Sequence, residues 1–295
     1  VTPLPAAAAR AVRPVYRNFA AFHPATEAVF RAYRVMYADP QSPLNATDPT
    51  VVSETADWRK EKVSFDAAYN NERITAYLFV PKRVRPPYQT VVFFPSARVL
   101  DLSDSRTLGD TSFFDYVVQS GRAVLYPVYA DTYERRVRNT LPGTGSLVVT
   151  VQRAQDLERS LDYLATRHDI AMDKLAYMGV SMGAAEGVIY ATLAQDRLRT
   201  VVLLDGGYFL TPPVAGADQA DFAPRLIRPV LMVNGRYDFS FPLEESQDPL
   251  FRMLGTPVGE KEHVVLDTPH DVRIDRPDLV RHVLSWLDRY LGPVE

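Results

Sequence analysis

From Val91 to the C-terminus, continuous apolar runs of four to seven residues alternate with longer amphipathic segments. The runs are Val91–Phe94, Ala123–Tyr129, Leu175–Val180, Thr200–Leu204, Val230–Asn234 and His263–Leu266. A run this short that is apolar at nearly every position suits a strand covered on both faces, as in a parallel sheet. Between the runs, Thr111–Gln119, Val151–Arg167 and Met182–Gln195 carry helical spacing, and a last helix is expected from about Asp278 to Leu291. In the second of these, Ala154, Leu157, Leu161 and Leu164 recur every three or four residues and define one buried stripe. Strand and helix in strict alternation predict an α/β class fold, a doubly wound, mostly parallel sheet with helices on both faces.

Upstream the pattern differs. Glu61–Phe65 and Arg73–Val80 read as two strands joined by a hairpin turn at Tyr69-Asn70-Asn71-Glu72. His23–Tyr37 has helical apolar spacing through Ala28, Val29, Phe30, Tyr33, Met36 and Tyr37, after which Pro40, Pro43 and Pro49 interrupt regular structure. The simplest partition is an N-terminal extension over residues 1–57, with one or two helices packed on a single domain over 58–295. The first residue is Val1 and the stretch to Arg17 is rich in Ala and Pro with three Arg, so a removed signal or fused domain stays open, and with it the compartment.

Charge and composition exclude several classes. With 33 Lys and Arg against 36 Asp and Glu, the net charge of -3 gives no pull toward nucleic acid or anionic membrane. The absence of Cys excludes disulfides, thiolate nucleophiles and Cys-ligated metals. No apolar run approaches the roughly 18 to 20 residues of a membrane span. No HExxH spacing and no Gly-rich phosphate loop occurs, so neither metal nor other cofactor is expected. The oligomeric state is not fixed by any of this.

Chemistry enters with Gly179-Val180-Ser181-Met182-Gly183, placed where a strand ends and a helix begins. A turn that sharp forces the central residue into a strained conformation, small neighbours make room for it, and the Ser hydroxyl is lifted above the sheet edge. The helix starting at Met182 adds its positive end and free N–H groups. A Ser hydroxyl needs a base to remove its proton, and the base needs an acid to orient it. Of the five His, His23 and His168 precede the motif, His263 falls inside a strand and His282 in the terminal helix, which leaves His270, in the loop after the last strand. Asp238, after the run Val230–Asn234, is the candidate acid, and Asp205, one strand earlier, is its rival. Asp271 reads as a solvated loop residue.

Two backbone donors should receive a developing oxyanion: Met182 N–H and one from Pro95-Ser96-Ala97-Arg98, where Ala97 is preferred over Ser96. Arg98 has two readings, a contact to an anionic substrate group or an ion pair with Asp101 or Asp104. Selectivity is assigned to the loops 100–110, 130–146 and 206–224, with Tyr208, Phe209, Phe239 and Phe241 as apolar candidates for the substrate pocket.

From Trp58 onward these motifs resemble the dienelactone-hydrolase and acetyl-xylan-esterase branch of the α/β hydrolases, with Ser in place of the Cys nucleophile of true dienelactone hydrolases. More narrowly, Tyr88–Ser96, Leu254-Gly255-Thr256-Pro257, Trp286–Gly292 and Ser42-Pro43-Leu44-Asn45 resemble hydrolase domains that some bacteria fuse behind Ser/Thr kinase domains. No kinase motif is present. The resemblance implies the α/β-hydrolase fold and an esterase-type site. The leading expectation is a serine-dependent hydrolase of small to medium carboxylic esters; a serine peptidase of prolyl-oligopeptidase type and a non-catalytic module of the same fold are the alternatives.

Overall fold

A computed structural model describes residues 17–38, 42–136 and 144–294, so the Ala- and Pro-rich start and part of the loop 130–146 lie outside the described residues. Nine strands form one sheet: β1 (Thr50–Glu54), β2 (Trp58–Asp66), β3 (Arg73–Pro81), β4 (Tyr88–Phe94), β5 (Ala123–Pro127), β6 (Ile170–Val180), β7 (Thr200–Leu204), β8 (Val230–Gly235) and β9 (Lys261–Leu266). Their order is β1-β2-β3-β5-β4-β6-β7-β8-β9. The pairs from β1 through β3 to β5 are antiparallel, and those from β5 to β9 are parallel.

Among the described residues, eight α-helices accompany the sheet: α1 (Glu27–Met36), α2 (Asp115–Gln119), α3 (Thr144–Ala165), α4 (Met182–Ala185), α5 (Gly187–Ala194), α6 (Gln219–Phe222), α7 (Asp248–Met253) and α8 (Arg276–Leu291). Alternate strand residues split between two cores. Val92, Phe94, Leu175, Tyr177, Val201 and Leu203 cluster with α3 and α5 through Leu157, Leu161 and Val188. Val91, Phe93, Ala176, Met178, Val202 and Leu204 cluster with α2 and α8 through Val117, Leu279, Val283 and Leu287. Burial on both faces is why these strands read as unbroken apolar runs, at roughly 1.5 to 3 kcal/mol for each large side chain removed from water.

The N-terminal segment packs on the α3/α5 side. Phe30 meets Phe222 edge-on at 5.2 Å, Phe19 stacks on Tyr208 at 4.4 Å, and the Tyr37 hydroxyl donates to Gly216 O at 2.7 Å. Two helix readings are corrected, and one strand was not anticipated. β1 joins the edge of the sheet within the segment taken as an extension, because its backbone pairs with β2 although all five of its residues are exposed. Thr111–Gln119 is not one helix: a 3-10 turn runs to Phe113, and Phe114, at φ -133° and ψ -2°, separates it from α2. The helix after the Ser motif is interrupted at Glu186. No described helix is long and apolar enough to cross a membrane.

Candidate active site

The strand order positions the site. β4 sits between β5 and β6, so the chain leaves it in one direction and returns on its other side, and such a reversal opens a crevice at the carboxyl ends of the strands. Phe94 and Gly179 are register partners there, which sets the loop after β4, carrying Ala97, beside the turn after β6, carrying Ser181. Asp205 follows β7, Asp238 follows β8 and His270 follows β9, all at the same end of the sheet.

Ser181 stands at φ 52° and ψ -109°, outside the conformations a non-glycine residue ordinarily adopts. Strain of this kind costs about 1 to 3 kcal/mol and persists only where surrounding structure over-determines it. Here its N–H is held by Leu204 O at 2.8 Å and its carbonyl accepts from Ala184 and Ala185 N–H. The flanking glycines are required by contact: a Cβ on Gly179 would lie 2.1 Å from Gly183 O, and one on Gly183 would lie 2.4 Å from Phe94 O. The Tyr177 hydroxyl fixes the same turn by donating to Gly183 O at 2.6 Å.

Ser181 Oγ lies 2.8 Å from His270 Nε2, and His270 Nδ1 lies 2.7 Å from Asp238 Oδ2. Ser240 and Phe241 N–H donate to Asp238 Oδ1 at 2.7 and 3.0 Å, so the buried carboxylate is aimed at the imidazole. With Nδ1 donating to Asp238, Nε2 is left as the acceptor for the Ser hydroxyl. Burial pulls the imidazole toward its neutral form, but the hydrogen bond and charge of Asp238, with Asp205 and Asp271 behind it, prevail and raise its pKa above 6.5. Asp271 is not simply solvated: it pairs with Arg273 through both oxygens, which holds it below the usual carboxylate range.

Ser96 N–H donates to Asp110 Oδ2 at 2.8 Å and is already committed. Ala97 and Met182 both line the cavity that contains Ser181, and among the described residues no other group takes their N–H. This cavity measures about 690 Å³. One wall is apolar, with Ile189, Phe209, Leu210, Pro212 and Phe241; Thr150, Glu186 and Ser240 are among its polar positions. Among the described residues, Glu186 is the one lining residue with an ionisable side chain. Arg153 spans its two oxygens at 3.0 and 2.9 Å, Tyr190 donates to it at 2.6 Å, and the same Arg153 nitrogen reaches Met182 Sδ at 3.5 Å.

The pocket expectations divide. Phe209 and Phe241 line the cavity, with the Phe241 ring 5.8 Å from that of His270. Tyr208 does not: it is fully buried, stacked on Phe19. Phe239 also stays out, 92% exposed, because the turn that closes on Asp238 points it to solvent. Arg98 lines a separate cavity of about 430 Å³ with Leu102, Asp104 and Arg273. It forms neither of the ion pairs considered for it among the described residues, since Asp104 is bound by Arg106. Glu186, Ile189, Leu210 and Pro212 went unrecognised; the available signal for Glu186 was its place five residues after Ser181, on the helix that the motif begins.

Asp205, Asp238 and His270 are the one group of described residues able to offer three metal-ligand atoms at close range, all within 4.8 Å of one another. The observed hydrogen bonds already engage Asp238 with the ring.

The architecture is the α/β-hydrolase fold. No family model and no curated protein matches the sequence. Among solved structures, the chain is similar to an acetyl xylan esterase from Paenibacillus sp. R4, with a TM-score of 0.68, 17% identity and coverage of 91% of this chain and 96% of that one. It is similar to acetyl xylan esterase 1 from Thermoanaerobacterium sp. JW/SL YS485 at 0.69, 16% identity, 90% and 95%. A Klebsiella pneumoniae protein described as a dienelactone hydrolase follows at 0.59, 19% identity, 78% and 99%. At these identities the likeness is one of fold.

Proposed function

We propose that the protein is a serine-dependent carboxylic ester hydrolase that acts on small to medium acyl esters through an acyl-enzyme. The observation that carries the reading is the hydrogen-bonded series Ser181, His270 and Asp238, opening on a cavity with two uncommitted N–H groups beside the hydroxyl. His270 Nε2 takes the proton as Ser181 Oγ attacks the ester carbonyl. Met182 and Ala97 N–H receive the negative charge that develops on the carbonyl oxygen. His270 returns the proton to the departing alcohol, and a water activated by the same ring releases the acid. Asp238 keeps the tautomer correct and stabilises the imidazolium without taking its proton. The esterases among the structural neighbours support this reading.

The mixed walls of the cavity favour short acyl groups over long aliphatic chains, because a long chain would lie against polar positions such as Thr150, Ser240 and the Arg153-paired Glu186. A series of p-nitrophenyl acetate, butyrate and octanoate, run beside a peptide p-nitroanilide, tests it. Turnover is expected to be greatest on acetate or butyrate and absent on the anilide; a peak at octanoate overturns the size assignment, and anilide cleavage without ester cleavage overturns the reaction class.

A further inference from the structure

We infer that Asp205 is a positioning residue for His270, fastening the loop that carries the imidazole and placing a second carboxyl beside the ring. Nothing in the triad requires it, since Asp238 already orients Nδ1. Yet Asp205 is 1% exposed, at the end of the strand between those carrying Ser181 and Asp238. It adopts φ 51°, a conformation unusual for a non-glycine residue. Its N–H is held by Val233 O at 2.9 Å, and its Oδ2 accepts from Val272 N–H at 3.0 Å, two residues past His270. Its Oδ1 is buried with no hydrogen-bond partner among the described residues. A buried carboxyl half satisfied in this way is costly, and such groups concentrate where a site uses them.

The charged groups facing it are His270, Asp238 and Asp271, with Arg273 beyond. Desolvation, aided by repulsion from Asp238 and Asp271, pushes the Asp205 carboxyl up to about 7. His270 is raised from 6.5, in part by Asp205, so the two titrations are coupled through charge and belong to the pair. An imidazolium favours ionised Asp205, and ionised Asp205 favours the imidazolium. The charge that forms on His270 during Ser attack is therefore shared between two carboxyls.

The test is an NMR titration of the His270 imidazole in the free protein, wild type and Asp205→Asn, with the pH profile of ester hydrolysis measured alongside. Asn retains an acceptor for Val272 N–H and removes the charge. We expect a two-step titration of the wild-type ring, and in Asp205→Asn a single step at lower pH, with the acid limb of kcat/KM moving the same way. A wild-type ring that titrates in one step, or superimposable curves for the two proteins, overturns the inference; a fall in kcat with an unmoved midpoint shows a structural tether only. The titration needs no substrate, so it reads Asp205 even if the esterase reading fails. The wild-type curve decides the matter if the variant does not fold.

Discussion

His270 Nδ1 lies 2.7 Å from Asp238 Oδ2, and the other oxygen of that carboxylate is pinned by the N–H groups of Ser240 and Phe241. The acid cannot swing away from the ring without breaking two backbone bonds. Asp238→Asn keeps the shape and offers an amide donor where the imidazole needs an acceptor, which favours the wrong tautomer. Ester kcat should fall on the order of 10³ to 10⁴-fold with unchanged circular dichroism, as wrong-tautomer substitutions do in triads of this kind. A loss below tenfold contradicts the assignment of Asp238.

The acid limb of kcat/KM should lie above pH 6.5, because activity needs neutral His270 and its raised pKa keeps the ring protonated to higher pH. Activity therefore declines as pH falls through that midpoint. A rate profile from about pH 5 to 9 measures it, and a midpoint at or below the ordinary imidazole value speaks against the Asp238 and Asp205 contributions together.

Asp205 carries a stability cost with a defined sign. Its folded pKa is raised from the usual 3.8 to about 7, so the contribution is fully present below 3.8 and is lost as pH rises through about 7. Once the carboxyl ionises in both states the penalty is on the order of 4 kcal/mol, with the coupling to His270 already contained in that shift. Thermal unfolding of Asp205→Asn should match wild type near the acid end of that window and exceed it near pH 8. Equal midpoints across the range would falsify this.

Gly183→Ala tests the packing beneath Ser181. The added Cβ lies 2.4 Å from the Phe94 carbonyl oxygen, and the neighbour is backbone rather than a flexible side chain. A loss of about 3 kcal/mol or more is expected from urea unfolding, at the upper end of overpacking effects. A variant as stable as wild type means the turn can open without cost.

How much of this was legible follows from burial. β4 and β6 to β8 announced themselves because both faces are covered, so the residues of each run had to be apolar. β1 gave no such signal: Thr50-Val51-Val52-Ser53-Glu54 is exposed throughout and becomes a strand by pairing with β2. That Ser181, Asp238 and His270 would meet was readable because strand ends place loops in a fixed order. Tyr208 and Phe239 were misread as lining because the direction of a loop side chain depends on what closes around it, here Phe19 in one case and the Asp238 turn in the other. Asp205 was visible as a rival acid, but its bond to Val272 N–H exists only once two distant loops have met.

The most direct test of the account is Ser181→Ala, compared with wild type on p-nitrophenyl acetate and butyrate. Ser181 supplies the only bond to the acyl group in the proposed mechanism, so turnover and any acyl-enzyme burst should fall by at least about 10³-fold with the fold intact. Ester hydrolysis that survives the substitution at near wild-type rate contradicts the account, because the reaction then runs without the hydroxyl to which the proposed mechanism assigns the attack.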